Sequence, residues 1–377
     1  MRLRASLTSL AEMKNVILIA IVLFVAQFAY PQAAPMTQTE YVKMLYAVEK
    51  SPSTKQDVID ALRKRGIGFV LTDGLRSLTR TKGANDEELK RALEEADRRR
   101  LNPEAAKMPS EREAADVLEK ARKATQAALD DMPDFVVKQI IARSASYAGT
   151  GNWKPLDNVI IAVSYSTEKG EQYRVLAVDG APVEAQAGNN YSNLSGSTTE
   201  GEFVEDLAKL FKPESKTEFK VLTTDVIRNQ PALVYDFEIL VENNKNGGVG
   251  FKTPSGQKDF TFTSVPAGEK GRVWIDRKEG RVLRIEFKAT DIPPDFRVRA
   301  FESSVDYDWV EIAGEKYLLP VLSDNKFTSR DNGQLFQDRN LIRFKNYQKY
   351  GTDVIVLGED TTPVPEEKPK PEEKPKQ

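Results

Sequence analysis

The spacing of hydrophobic positions changes once along this chain, at Pro133. Before it, apolar residues recur every three to four positions: Tyr41, Met44, Leu45 and Val48 share one helical face, Val58, Ile59 and Leu62 a second, and Leu89, Ala92, Leu93 and Ala96 a third. Three candidate capping boxes mark helix starts, Thr37 with Glu40, Ser53 with Gln56 and Asn85 with Glu88. Arg65-Gly66-Ile67-Gly68-Phe69 interrupts this run, with Gly66 as a C-terminal cap and Ile67 and Phe69 as plugs of a small helical bundle. Arg98 to Arg100 reads as a solvated helix end, and the polar connector 103–109 places a boundary near residue 105. Ser110 with Glu113 opens a longer helix to about Met132, whose stripe of Ala114, Val117, Leu118, Ala121, Ala124, Thr125, Ala128 and Leu129 is Ala-rich, so the helix can lie close against a partner surface.

Beyond Pro133, which stops that helix, the apolar positions alternate. Strands are expected at 135–143, 159–165, 172–178, 218–224, 232–241, 260–265, 305–312, 317–322 and 341–347. A further pair makes a hairpin over 272–287. There Val273 and Ile275 alternate with Arg272, Trp274 and Asp276, and Leu283, Ile285 and Phe287 alternate with Arg284 and Glu286. Gly280 supplies the positive φ that its turn requires. One helix interrupts the strands at 202–211, with Phe203, Leu207, Leu210 and Phe211 on a face, and the Gly- and Asn-rich stretch 243–256 reads as a flexible hairpin loop. Short turns such as Asp179-Gly180 and Ala313-Gly314 favour meander connections, so the strands should form one large, curved antiparallel sheet. The fold class is α+β: a curved antiparallel sheet preceded by a small all-α unit.

Composition narrows the chemistry. Among 377 residues, 40% of them hydrophobic, there is no Cys and no His, which excludes disulfides, thiolate nucleophiles and imidazole bases or metal ligands. Lys+Arg 55 against Asp+Glu 57 gives a net charge of −2, and no basic cluster is interleaved with aromatics, so nucleic acid is not an expected partner. Asp306, Asp308 and Glu311 could suggest a metal or general-acid site, but without His they read as a solvated outer face. No cofactor is expected.

At the ends, Arg2, Arg4 and Lys14 followed by the apolar run 16–29 read as an export signal within 1–34. The run is short against the roughly 20 apolar residues of a spanning helix, and a retained anchor is the alternative. The last stretch, 358–377, is a near repeat of Glu-Glu-Lys-Pro-Lys that cannot bury a core and should be an extended spacer. Asn190 and Asn193 each begin a glycosylation pattern. The expected organisation is therefore a signal peptide or anchor at 1–34, a helical unit at 37–104, a sheet domain at 105–357 and a disordered tail at 358–377.

The run Val273-Trp274-Ile275-Asp276-Arg277-Lys278-Glu279-Gly280-Arg281-Val282-Leu283 resembles the hairpin of lipoprotein-localisation carriers, the LolA/LolB-like fold. Val305-Asp306-Tyr307-Asp308-Trp309 through Tyr317-Leu318-Leu319-Pro320 resembles that family's next strand pair, and the match extends over about 105–357. It is nearest to uncharacterised acidobacterial envelope proteins, some of which share an Arg-Gly-Ile-x-Phe element like that at 65–69. Relatives often carry Cys in the first strand, whereas Phe135-Val136-Val137-Lys138 stands here. The resemblance implies that the sheet is a half-open antiparallel barrel with covering helices (LolA-like), in a periplasmic, non-catalytic protein holding lipid, an acyl chain or a lipoprotein on an apolar concave face, with the helix at 110–132 as lid. Leu283, Ile285, Phe287, Val305, Tyr307 and Trp309 are the candidate lining residues at period two. The competing reading of the same stripe is a filled core in a structural module whose partner is another envelope protein. Membrane contact is expected only through the N-terminal segment.

Overall fold

A computed structural model describes residues 34–350 apart from 184–190, 192, 193, 195, 200, 204, 246 and 255–259. The expected export signal, the asparagine of the pattern at 190 and that at 193, and the tail thus lie outside the described residues.

Four helices come first, α1 (Gln38–Lys50), α2 (Lys55–Arg65), α3 (Asp73–Lys82) and α4 (Glu87–Leu101). Thr37 caps α1 as its spacing predicts, its hydroxyl accepting from Glu40 N at 3.2 Å. The other two expected starts move by one residue. Ser53 lies in a short 3-10 turn and α2 follows Thr54. Asp86 rather than Asn85 caps α4, accepting from Leu89 N at 2.8 Å, because Asn85 takes a left-handed φ of 57°. Helix α3 has no apolar stripe to announce it, since only Leu75 and Thr79 are buried. Thr79 instead bonds the Tyr41 hydroxyl at 2.7 Å inside the helical core, where burial pushes the Tyr41 phenol up to about 12. Gly66 ends α2 at φ 67°, Ile67 enters the core, and Phe69 stacks on Tyr41.

After α5 (Glu111–Asp130), capped by Ser110, the strands run β1 (Phe135–Tyr147), β2 (Lys154–Ser166), β3 (Gly170–Val178) and β4 (Ala181–Pro182). Helix α6 (Glu205–Phe211) leads into β5 (Glu218–Ile227), β6 (Gln230–Ile239), β7 (Gly248–Pro254), β8 (Phe260–Pro266), β9 (Gly268–Asp276) and β10 (Val282–Thr290), and the chain closes with β11 (Val298–Ile312), β12 (Glu315–Asp331) and β13 (Gln334–Lys349). Eleven of them form one antiparallel sheet in the order β4-β3-β2-β1-β13-β12-β11-β10-β9-β6-β5, open at both edges. The fold class is the one expected, α+β with a large unclosed antiparallel sheet and covering helices. Part of the stretch read as a loop at 243–256 is strand β7, paired with β8 from Gly248 opposite Pro266. Its glycines hid the alternation. Register shifts interrupt several pairings, and bulges of this kind bend and twist the strands that carry them.

Helices α5 and α6 cover one face of the sheet, called inner here. Ala114, Val117 and Ala121 of α5 and Leu207 and Leu210 of α6 pack on Tyr235, Val273, Ile275, Ile285 and Tyr307. A second inner cluster, around Phe135, Ile141, Val159 and Phe344, is closed by Tyr191 and Phe203. Phe203 therefore precedes α6 and packs apart from Leu207 and Leu210, not on one face with them. Helix α4 lies against the opposite, outer face, chiefly through charged side chains.

Candidate functional site

The six candidate lining residues do not all share a surface. Val282 pairs with Ile275 and Arg284 with Trp274, so Leu283 is an extra residue in β10. That bulge turns Leu283 to the outer face, where it packs with Ile227, Ala232, Val234 and Trp274. Ile285, Phe287, Val305 and Tyr307 stay on the inner face, buried together beneath α5 and α6. Trp309, two residues beyond Tyr307, is 40% exposed.

Trp309 opens onto a cavity of about 690 Å³ between the C-terminal half of α5 and the start of β12. Ala124, Ala128 and Met132 line it from the helix side, Leu207 from α6, and Tyr317, Leu318 and Leu319 from the strand. Alanines on α5 leave this volume because they carry no side chain long enough to fill it. Arg281 sits over the Trp309 ring with its guanidinium 4.2 Å from the centroid, so the mouth holds a cation on an aromatic face. The first half of α5 is fixed by contrast. Tyr235 donates to Ala114 O at 2.7 Å, and Arg277 donates to both carboxylate oxygens of Glu113 at 2.6 and 3.1 Å. The Ala stripe and the Tyr-Leu-Leu-Pro strand were both legible in the sequence, but their meeting across almost 200 residues was not.

The outer face is an ion-pair lattice. Arg98 donates twice to Asp225 at 2.9 Å, and the same carboxylate accepts from Trp274 Nε1 at 3.0 Å. Glu286 accepts from Arg91 and from Arg272, each at 2.8 Å, and Arg272 also reaches Glu95 at 3.3 Å. Burial raises the Glu286 carboxyl, and the Arg91, Arg272 and Arg284 guanidiniums more than offset it, holding it below the usual glutamate range. Trp274, on this outer face, is fully buried under α4. Two expectations change here. Arg99, in the run read as a solvated helix end, is buried and donates to Leu62 O at 2.7 Å. Asp306 is buried and bidentate with Arg284 at 2.7 and 2.9 Å, although Glu311 is exposed. A charged residue reads as solvated in one dimension whether or not a partner waits far along the chain.

Beside Phe203 of the second inner cluster lies a buried acid. Glu202 is buried, and burial pushes its carboxyl up to about 8. Oε1 is 3.5 Å from Asn325 Nδ2, whereas Oε2 has no hydrogen-bond partner among the described residues. Among the described residues no group of three acidic side chains is placed to hold a metal ion, and no helix is long and apolar enough to cross a membrane.

No family model matches the sequence, and no curated protein does. Among solved structures, a LolA superfamily protein from Nitrosomonas europaea is similar over 66% of this chain and 99% of its own, at 11% identity and a TM-score of 0.30. A DUF1329 family protein from Desulfovibrio piger is similar over 62% of this chain and 93% of its own, at 10% identity and a TM-score of 0.27. A MucA/MucB complex structure from Pseudomonas aeruginosa contains a chain similar over 60% of this one and 93% of its own, at 10% identity and a TM-score of 0.17.

Proposed function

We propose that this chain is an exported, periplasmic envelope protein without catalytic activity, which holds a lipid or a lipoprotein's acyl chain in the cavity beneath the C-terminal half of α5. The observation that carries the reading is that cavity: about 690 Å³ lies within the usual range for small-molecule sites, and aromatic and aliphatic side chains line much of it. Anchoring at Glu113 and Ala114 leaves the Ala-rich end of α5 as the part able to lift, which makes this helix the lid. An export signal within 1–34, a separately folding helical unit at 37–104 and a spacer at 358–377 complete the proposed organisation.

Native mass spectrometry and lipid extraction on protein purified from an envelope fraction test it. An acyl-bearing species should co-purify with wild type and be lost from Ala124→Trp, which fills the cavity; a repeatedly empty wild type sinks the idea. A second reading, a structural module with a filled core and a protein partner, is favoured by the tight burial of Ile285, Phe287, Val305 and Tyr307. Trp309→Arg separates the two. Because Trp309 is half-exposed beside Arg281, the carrier reading expects a folded protein that no longer retains lipid, whereas loss of the fold favours the filled module.

A further inference from the structure

Strand β8 presents a free and unprotected edge. It pairs only with β7, and the two form a ribbon separate from the main sheet. Among the described residues, no backbone hydrogen bond runs from 260–266 to any element other than β7. We infer that this edge pairs antiparallel with the same edge of a second copy of the chain, joining two ribbons into a four-stranded sheet about a two-fold axis at Thr263. The interface does not depend on the reading of the α5 cavity.

The ribbon is held in place before any partner arrives. Val249 of β7 is buried with Ala267 and Val298, Val265 of β8 packs on them, and the Phe251 and Phe296 rings lie 5.3 Å apart. On the opposite face of the ribbon the Phe262 ring lies across Gly250, where a Cβ would overlap it, yet Phe262 is 65% exposed. Thr261, Thr263 and Ser264 beside it are exposed too. A strand already fixed in extended form loses little further freedom on pairing.

The edges of the main sheet are guarded by contrast. At one, β5 carries exposed Glu218 and Lys220, and its far end is covered where Thr224 Oγ1 donates to Ala106 O at 3.1 Å. At the other, β3 carries Glu171 and Arg174, and the short β4 ends in Pro182. Charged side chains and proline discourage a further strand from adding. In β8 no charge stands between Asp259 and Glu269, and the proline, Pro266, is the last residue of the strand. A second copy fits this run. With Thr263 opposite itself, Phe262 faces the second copy's Ser264 and Thr261 faces its Val265, so no like charges meet. Thr opposite Thr is a favourable cross-strand pair, and the two exposed Phe262 rings become diagonal neighbours on one face, within reach of each other. An isologous contact occupies the edge on both copies, so assembly stops at two.

Sedimentation velocity of the full chain, from low to high micromolar protein, tests the pairing. Wild type should pass reversibly from monomer to dimer as concentration rises. Thr263→Lys sets two ammonium groups across the axis and should weaken dimerisation roughly tenfold, and Thr263→Glu should do the same with two carboxylates. Mixed in equal amounts, the two variants should recover the dimer, because opposite charges then face each other, and that recovery also shows that both are folded. Gln172→Lys, on the edge strand β3, should leave dimerisation unchanged. A wild type that stays monomeric throughout overturns the inference. So do Thr263 variants that dimerise like wild type, a mixture that stays monomeric, or equal weakening by Gln172→Lys.

Discussion

Glu202 carries the clearest pH dependence of any single residue. Its carboxyl titrates at about 8 in the fold against an ordinary 4.5, because burial disfavours the charge. Below pH 4.5 the acid is neutral in both folded and unfolded chains, so it imposes no penalty. As pH rises from 4.5 to about 8 the unfolded chain ionises first, and stability falls. The loss is on the order of a few kcal/mol at alkaline pH, since each tenfold change in proton affinity between the two states is worth about 1.4 kcal/mol. Glu202→Gln keeps a neutral side chain of the same shape, so its denaturant stability should gain on wild type steadily between about pH 5 and pH 9. Parallel curves for the two proteins would show that the charge is compensated. Sequence alone could not isolate this residue, because Glu202 reads as the first position of the helix expected at 202–211 and only the fold encloses it. Leu283 fails for a different reason: alternation assigns it a face correctly only in an unbroken strand, and one inserted residue reverses it.

At the scale of elements, the hairpin of β9 and β10 does more than reverse the chain. Asp276 Oδ1 accepts from Lys278 N at 2.8 Å and Glu279 N at 2.6 Å, closing the turn on itself, and Gly280 takes φ 71°. A Cβ at Gly280 would stand 2.5 Å from Lys120 Cβ on α5, so this turn is also the seat of the helix. Gly314, at φ 90° in the next hairpin, has open space around it. Gly280→Ala should therefore cost roughly 2–4 kcal/mol, combining backbone strain with the clash, and Gly314→Ala about 1–2 kcal/mol from strain alone. Equal losses in thermal or denaturant melts would remove the helix seat from the account. The positive φ at Gly280 was legible from turn chemistry, and so were most of the strands and the cap of α5. Helix α3 and strand β7 escaped because one carries little apolar surface and the other replaces alternating side chains with Gly248 and Gly250.

Across the whole molecule, the helical core and the sheet core are separate apolar clusters joined mainly by charges. Sequence periodicity distinguishes the two sets of elements, but it does not say that α4 lies on the outer face, because the contact is made by Arg91, Glu95 and Arg98, which read as solvent-facing. Such an interface responds to acid in a definite direction. Glu286 is held below the usual glutamate range by Arg91, Arg272 and Arg284, so its contribution to docking is present above the ordinary glutamate pKa and is lost as pH falls through the depressed value. The apolar cores contain no such dependence, and the helices should undock before the strands separate. Trp274, buried beneath α4, reports the event: in a Trp153→Phe, Trp309→Phe background its emission should shift to the red at acid pH while the β-sheet circular dichroism persists. Arg91→Met removes one of the three guanidiniums, so Glu286 gains its proton at higher pH and the emission midpoint should move upward with it. Emission and circular dichroism that change together, with a midpoint indifferent to Arg91, would instead mean that the helices and the sheet unfold as one unit and that the ion pairs do not control the junction.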